Sequence, residues 1–149
     1  MPDVKFFWVG GIPFKNLGAD YNAMQDMIKN APNNLTVTGV IALENVRDYY
    51  VAADVFVLPA MQENHPMCVL EAAGAGLPII LRDIPQYNDT FKGDAVMAKT
   101  DDEFLELISE LRKDKKAYKK AQLGAEKIAE RFDSSAGAER LVEFYRSLI

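Results

Sequence analysis

Two acidic residues raise the question of chemistry. In "QENHPMCVLEAAGAGLPII", Gln62 to Ile80, Glu63 and Glu71 stand with seven residues between them, and nearly every position from Pro66 to Ala75 is apolar or small. An unpaired buried carboxylate is costly, so Glu71 is expected to be paired, protonated or aimed out of the fold. Ionised carboxylates only accept hydrogen bonds, which suits vicinal hydroxyls such as those of a ribose or a hexose. Pro66 fits the first position of a helix, with Asn64 or His65 as its cap. The free N–H groups around Met67 and Cys68 then carry the positive end of the helix dipole, a site for phosphate or sugar oxygens. The combination suggests hydroxyls on the carboxylates and phosphates at the helix end, as a nucleotide sugar would present them. The alternative is internal: Glu71 paired with a cation such as Arg82, and Glu63 solvated on its loop.

The neighbouring residues carry two readings each. His65, the only histidine, reads as a sugar contact or as a capping or packing residue. Cys68, the only cysteine, reads as a small buried hydrophobe, and Asp54 as structural. One histidine and one cysteine make neither a zinc site nor an intramolecular disulfide.

The elements that must position these residues follow from periodicity. "VKFFWV" (Val4–Val9), closed by Gly10-Gly11, predicts a strand, and Leu17–Asn30 a helix with Tyr21, Met24, Met27 and Ile28 on its apolar face. "LTVTG", "DVFVLP", "LPIILRD" and "DAVMA" predict four further strands, with helices over Glu44–Ala53 and Pro66–Ala75. The loop Pro59–His65 lies at the carboxyl end of a strand, where open parallel sheets bind ligands. Ala72, Ala73, Gly74, Ala75 and Gly76 are small enough to let the Pro66–Ala75 helix lie close against the sheet. Strands alternating with helices over short connections imply an α/β, Rossmann-like parallel sheet. The runs are continuously apolar, which predicts burial on both faces. The last third is helical. Thr100 and Glu103 form a capping box ahead of an apolar stripe of Phe104, Leu105, Leu107, Ile108 and Leu111. The basic run "RKDKKAYKK" follows and reads as a solvated face, then helices over about Ala117–Arg131 and Ser135–Leu148.

Composition bounds the class. The 149 residues are expected to form a single domain. A net charge of -5 argues against a nucleic-acid partner. No apolar run approaches the roughly 18 residues that span a bilayer, so the expectation is a cytoplasmic domain.

The run "ADVFVLPAMQENHPMCVLEAAGAGLPII" resembles the signature segment of retaining GT-B glycosyltransferases of group 1. Glu63 and Glu71 stand at the two glutamates of that family's E-x7-E motif, and Leu58-Pro59, Pro66, Leu70-Glu71-Ala72, Gly76 and Pro78 match beside them. "VGG" with Pro13, the stretch "TGVIALENVRDYYVAADVFV" and Phe132 extend the likeness over essentially the whole chain. The resemblance implies a donor-binding domain. Glu63 would contact the hexose and the anomeric centre, and Glu71 would hold the ribose hydroxyls. Backbone amides from Asn64 through His65, Pro66 and Met67 to Cys68 would face the sugar and diphosphate. Gly39, Val40 and Ile41, with Gly10, would approach the base. No metal and no cofactor beyond the nucleotide-sugar substrate are implied.

Three departures stand out. Asn64 and His65 replace the usual Gly and Phe, and "RDIPQYND" replaces a Gly-Gly loop. The likeness also begins at the second strand of the family's C-terminal half, without the first strand and helix that carry a phosphate-clamping Arg and Lys. The chain is therefore expected to be a fragment with little turnover of its own, its acceptor held elsewhere. "RDIPQYND" and "AKTDDEFLELI" look most like bacterial glucosyltransferases acting on diacylglycerol, which would imply UDP-glucose and peripheral membrane association; a saccharide acceptor fits the motif equally. The rivals are a GT-B epimerase, a glycoside hydrolase using both glutamates, a non-catalytic nucleotide-binding module, and a receiver domain. The last would need aspartates where Gly10-Gly11-Ile12 stand.

Overall fold

Short apolar runs form the strands: the first two stop one residue short of a glycine, the third at Pro59, and the last two at charged residues. In the computed structural model, which describes residues 1–11 and 21–148, the order is β1 (Phe6–Trp8), α1 (Tyr21–Lys29), β2 (Leu35–Val37), α2 (Leu43–Ala52), β3 (Phe56–Leu58), α3 (Met67–Gly74), β4 (Ile79–Arg82), β5 (Val96–Ala98), α4 (Asp101–Lys113), α5 (Lys115–Arg131) and α6 (Ser134–Arg146). The chain divides into two compact units, Met1–Val51 and Ala52–Ile149. The expected start of the first helix, Leu17–Asp20, and Pro13 lie outside the described residues.

In the first unit β1 and β2 pair in parallel, Phe6 opposite Leu35 and Trp8 opposite Val37. The expectation of strands sealed on both faces fails here. Phe7 is 56% exposed, its ring edge-on to Tyr49 at 6.1 Å, and neither α1 nor α2 buries a residue fully. A pair of three-residue strands offers too little sheet for two helices to enclose.

The second unit holds the core. Its sheet runs β3-β4-β5, all parallel, with Phe56 opposite Ile79 and Ile80 opposite Val96. Central β4 is buried along its whole length, as its uninterrupted apolar run requires. Helix α3 packs on β3, β4 and α5, and α4 on β5 and α5. Val69, Ala72 and Ala73 of α3 meet a core that includes Ile108, Leu111, Ala125 and Ile128. Of the expected stripe on α4, Leu105 points outward, because it is one residue past Phe104 and off the buried face. Thr100 caps α4 by accepting from the Glu103 N–H at 3.2 Å, while the Glu103 carboxylate accepts from the Lys99 N–H at 2.6 Å.

Arg82, at the carboxyl end of β4, ties the sheet together. It donates to the Pro59 carbonyl at 3.3 Å, the Lys99 carbonyl at 3.2 Å and Asp101 at 2.5 Å, with its guanidinium 4.9 Å above the Phe104 ring. It thereby fixes the point where the loop after β3 departs. Helix α5 comes so close that a Cβ on Gly124 would fall on the Asp94 carbonyl, 2.9 Å from its carbon.

Three stability tests follow. Gly124→Ala is expected to cost about 1–3 kcal/mol through overpacking, read as a lower denaturant midpoint. Arg82→Met, which strands two carbonyls, is expected to cost about 1–3 kcal/mol. Asp101→Ala should cost less than about 1 kcal/mol, because that carboxylate is 86% exposed.

Candidate functional site

Helix α3 starts one residue later than its sequence suggests. Pro66 is the cap itself, in extended backbone (φ -70°, ψ 117°), and no side chain caps the helix. Neither Asn64 nor His65 takes the capping role expected of it. A proline at that position has no side-chain acceptor, so the first N–H groups face the loop uncovered by any cap. The far end closes through Gly76 at φ 75°, with its N–H on the Ala73 carbonyl at 2.9 Å and the Leu77 N–H on the Ala72 carbonyl at 3.1 Å.

The carboxylate in the apolar helix has a geometric answer. Val69, Ala72 and Ala73 face inward, whereas Met67, Glu71 and Gly74 form an outward stripe spaced by four and three residues. Met67 is 62% exposed, and Glu71 is exposed beside it. Glu71 is thus aimed out of the fold, one of the three outcomes expected of it. Of the small residues, Ala72 and Ala73 are the ones that let the helix sit close to the core; Gly74 and Ala75 face out. Arg82, the cation considered as an internal partner for Glu71, directs its guanidinium to Pro59, Lys99 and Asp101.

Glu63 and Glu71 converge on one atom. Burial pushes the Cys68 thiol up from its ordinary value, and the charges of Glu63 and then Glu71 push it the same way; backbone N–H groups of Cys68 and Val69 oppose them. Cys68 is half-buried rather than enclosed, with its sulfur in the helix's first turn. Tyr87, in the turn Pro85–Tyr87 after β4, is pushed up to about 12 by burial, then by Glu63 and Cys68. The charge of Glu63 thus acts on both Cys68 and Tyr87, and that of Glu71 on Cys68.

His65 packs. Its ring stacks on Phe91 at 5.5 Å with planes 16° apart and meets Phe132 at 5.0 Å. Phe91 in turn takes the edge of Tyr87 at 5.3 Å. This aromatic brace behind the loop, Tyr87 above all, is not legible in the sequence, where "IPQYND" reads only as a departure from a glycine pair. Pro66 is buried and Asn64 exposed.

Gly10, Gly39, Val40 and Ile41 belong to the first unit. Gly10 (φ 137°) and Gly39 (φ 69°) bridge each other just past β1 and β2, and the Gly10 N–H donates to Thr38 Oγ1 at 3.2 Å. Both need glycine for their backbone angles. Val40 is exposed and Ile41 partly covered.

Convergence on Cys68 is measurable. The thiol is expected to react more slowly with a disulfide reagent at pH 8 than an exposed cysteine does, because less of it is thiolate. Glu63→Gln and Glu71→Gln should each lower its pKa and speed the reaction, Glu63→Gln more. Unchanged rates in both variants would separate the carboxylates from the sulfur.

Comparison with known proteins places this geometry. Residues 1–114 match the family described as glycosyl transferases group 1. Alpha-galactosylglucosyldiacylglycerol synthase of Streptococcus pneumoniae (strain ATCC BAA-255 / R6) is 30% identical over 145 residues, 97% of this chain and 39% of that protein. Processive diacylglycerol alpha-glucosyltransferase of Acholeplasma laidlawii is 32% identical over 89 residues, 60% of this chain and 26% of its own length. Among solved structures, Anabaena HepE in complex with UDP-glucose superposes with a TM-score of 0.80 at 18% identity, covering 99% of this chain and 42% of that one. Sucrose-phosphate synthase from Thermosynechococcus elongatus gives 0.76 at 21% identity, covering 95% and 38%. The chain spans less than half the length of each of these proteins. The two structural likenesses carry the α/β fold of GT-B glycosyltransferases. With more than half of its residues matched, the chain belongs to the glycosyl transferases group 1 family.

Proposed function

We propose that this chain is the nucleotide-sugar-binding domain of a retaining hexosyltransferase. It holds a UDP-glucose-like donor, and a part of the protein beyond these residues holds a lipid or saccharide acceptor. The carrying observation is the convergence of Glu63 and Glu71 on Cys68 at the start of α3. Carboxylates repel a diphosphate but accept from hydroxyls, so they suit the sugar rings. An uncapped helix start suits the phosphates, through its orphan N–H groups and its dipole. Glu63 takes the hexose, Glu71 the ribose, and the backbone from Asn64 to Cys68 the diphosphate; Glu63 then steadies charge at the anomeric carbon.

The relatives support the donor and the acceptor class. Two act by name on glycosylated diacylglycerol or diacylglycerol, and a solved relative holds UDP-glucose. A diacylglycerol acceptor brings with it attachment at a membrane surface. No helix among the described residues is long and apolar enough to cross a membrane, so that attachment is proposed as peripheral.

Titration with UDP and UDP-glucose tests the assignment. Glu71→Gln is expected to weaken both ligands by about tenfold or more, since both carry the ribose. Glu63→Gln is expected to weaken UDP-glucose alone. Parent-like binding by both variants would overturn the proposal. In the intact enzyme, anomeric proton spectra of the product should show transfer with retained configuration, which an epimerase would not give.

A further inference from the structure

Tyr87 is the residue whose chemistry the fold does not use. Its backbone is fully engaged: the N–H donates to the Ile84 carbonyl at 3.1 Å, and its carbonyl accepts from the Phe91 and Lys92 N–H groups at 3.0 Å. Its side chain is 1% exposed, with the ring edge-on to Phe91. Phenylalanine would satisfy that packing equally. The chain places a phenol there instead, and its hydroxyl has no hydrogen-bond partner among the described residues. An unsatisfied buried hydroxyl costs about 1–3 kcal/mol, and such groups are rare enough in native folds that each calls for a reason.

The surroundings supply one. The phenol is protonated at neutral pH, and towards a carboxylate, which only accepts, it can act as the donor. Glu63 is the carboxylate whose charge acts on it, yet the two are not bonded. The loop that carries Glu63 runs beside Tyr87, since His65 stacks on Phe91 at 5.5 Å and Phe91 takes the Tyr87 edge at 5.3 Å. Glu63 is partly exposed on that loop, whereas Tyr87 is 1% exposed. A hydrogen bond from a neutral donor to a carboxylate is among the stronger side-chain bonds, and it would hold Glu63 in one orientation.

We infer that Tyr87 is a positioning residue of the donor site, its hydroxyl donating to the Glu63 carboxylate when the hexose draws that side chain inward. This rests on the assignment of Glu63 to the hexose. Tyr87 touches no substrate and acts through Glu63.

The test is a double-mutant cycle in the full chain, with UDP-glucose and UDP as probes. Tyr87→Phe should keep or raise the melting temperature, because it removes an orphaned polar group. It should weaken UDP-glucose about tenfold, leave UDP unchanged, and add nothing in the Glu63→Gln background. Parent-like binding of UDP-glucose by Tyr87→Phe overturns the inference, and so do additive losses in the double variant. A lower melting temperature with unchanged binding also overturns it. If Glu63→Gln binds UDP-glucose normally, the hexose assignment fails and the inference with it. If Glu63→Gln loses binding and Tyr87→Phe does not, only the inference fails.

Discussion

Two carboxylates that act on one thiol frame the start of α3. Glu63 and Glu71 both act on the Cys68 sulfur, and like charges repel. The scaffold sets where each of them stands. Glu71 rides on a helix whose inner face, Val69, Ala72 and Ala73, is locked into the core. Glu63 sits in a loop fixed at both ends. At one end the Pro59 carbonyl takes two donors from Arg82, and at the other Pro66 is buried at the helix cap. The helix dipole offsets part of the repulsion, since its positive end lies at the same place. The stability of the core thus maintains an arrangement that local electrostatics oppose.

Much of this was legible in the sequence. Strand and helix identities follow from short apolar runs and from helical spacing, and the parallel arrangement from their alternation. The expected helix after the β3 loop is present as α3. Three features were not legible, each for a physical reason. Glu71 reads as buried because alanine and glycine count as apolar wherever they stand, so hydropathy cannot show that Gly74 and Ala75 face outward while Ala72 and Ala73 face in. Pro66 reads as a first helical residue because its fixed φ suits both that position and the extended cap; only ψ distinguishes them. The start of α5 is hidden in a basic run, although Asp114 caps it by accepting from the Lys116 N–H at 2.7 Å and the Ala117 N–H at 3.2 Å.

The first unit shows a different limit. Continuous apolar runs predict strands buried on both sides, and β4 meets that rule while β1 does not. The run is the same kind of signal in both; what differs is how much sheet surrounds it. Among the described residues β1 has one neighbouring strand and Phe7 is 56% exposed, whereas β4 has a strand on each side and α3 and α5 against it. A one-dimensional pattern reports what a strand tolerates. The environment it obtains depends on partners far along the chain.

Neutrality explains why Cys68 and Tyr87 can stand where they do. Two carboxylates already lie at the start of α3, and on the proposed reading a diphosphate joins them. A thiolate or phenolate at either position would add negative charge to a place that must admit more of it. Both groups are instead held protonated, by burial first and by the carboxylates second. The same carboxylates that keep these groups neutral are the acceptors that sugar hydroxyls require. On the proposed reading, the uncapped N–H groups of the helix meet the negative charge of the diphosphate, and the carboxylates meet the hydroxyls.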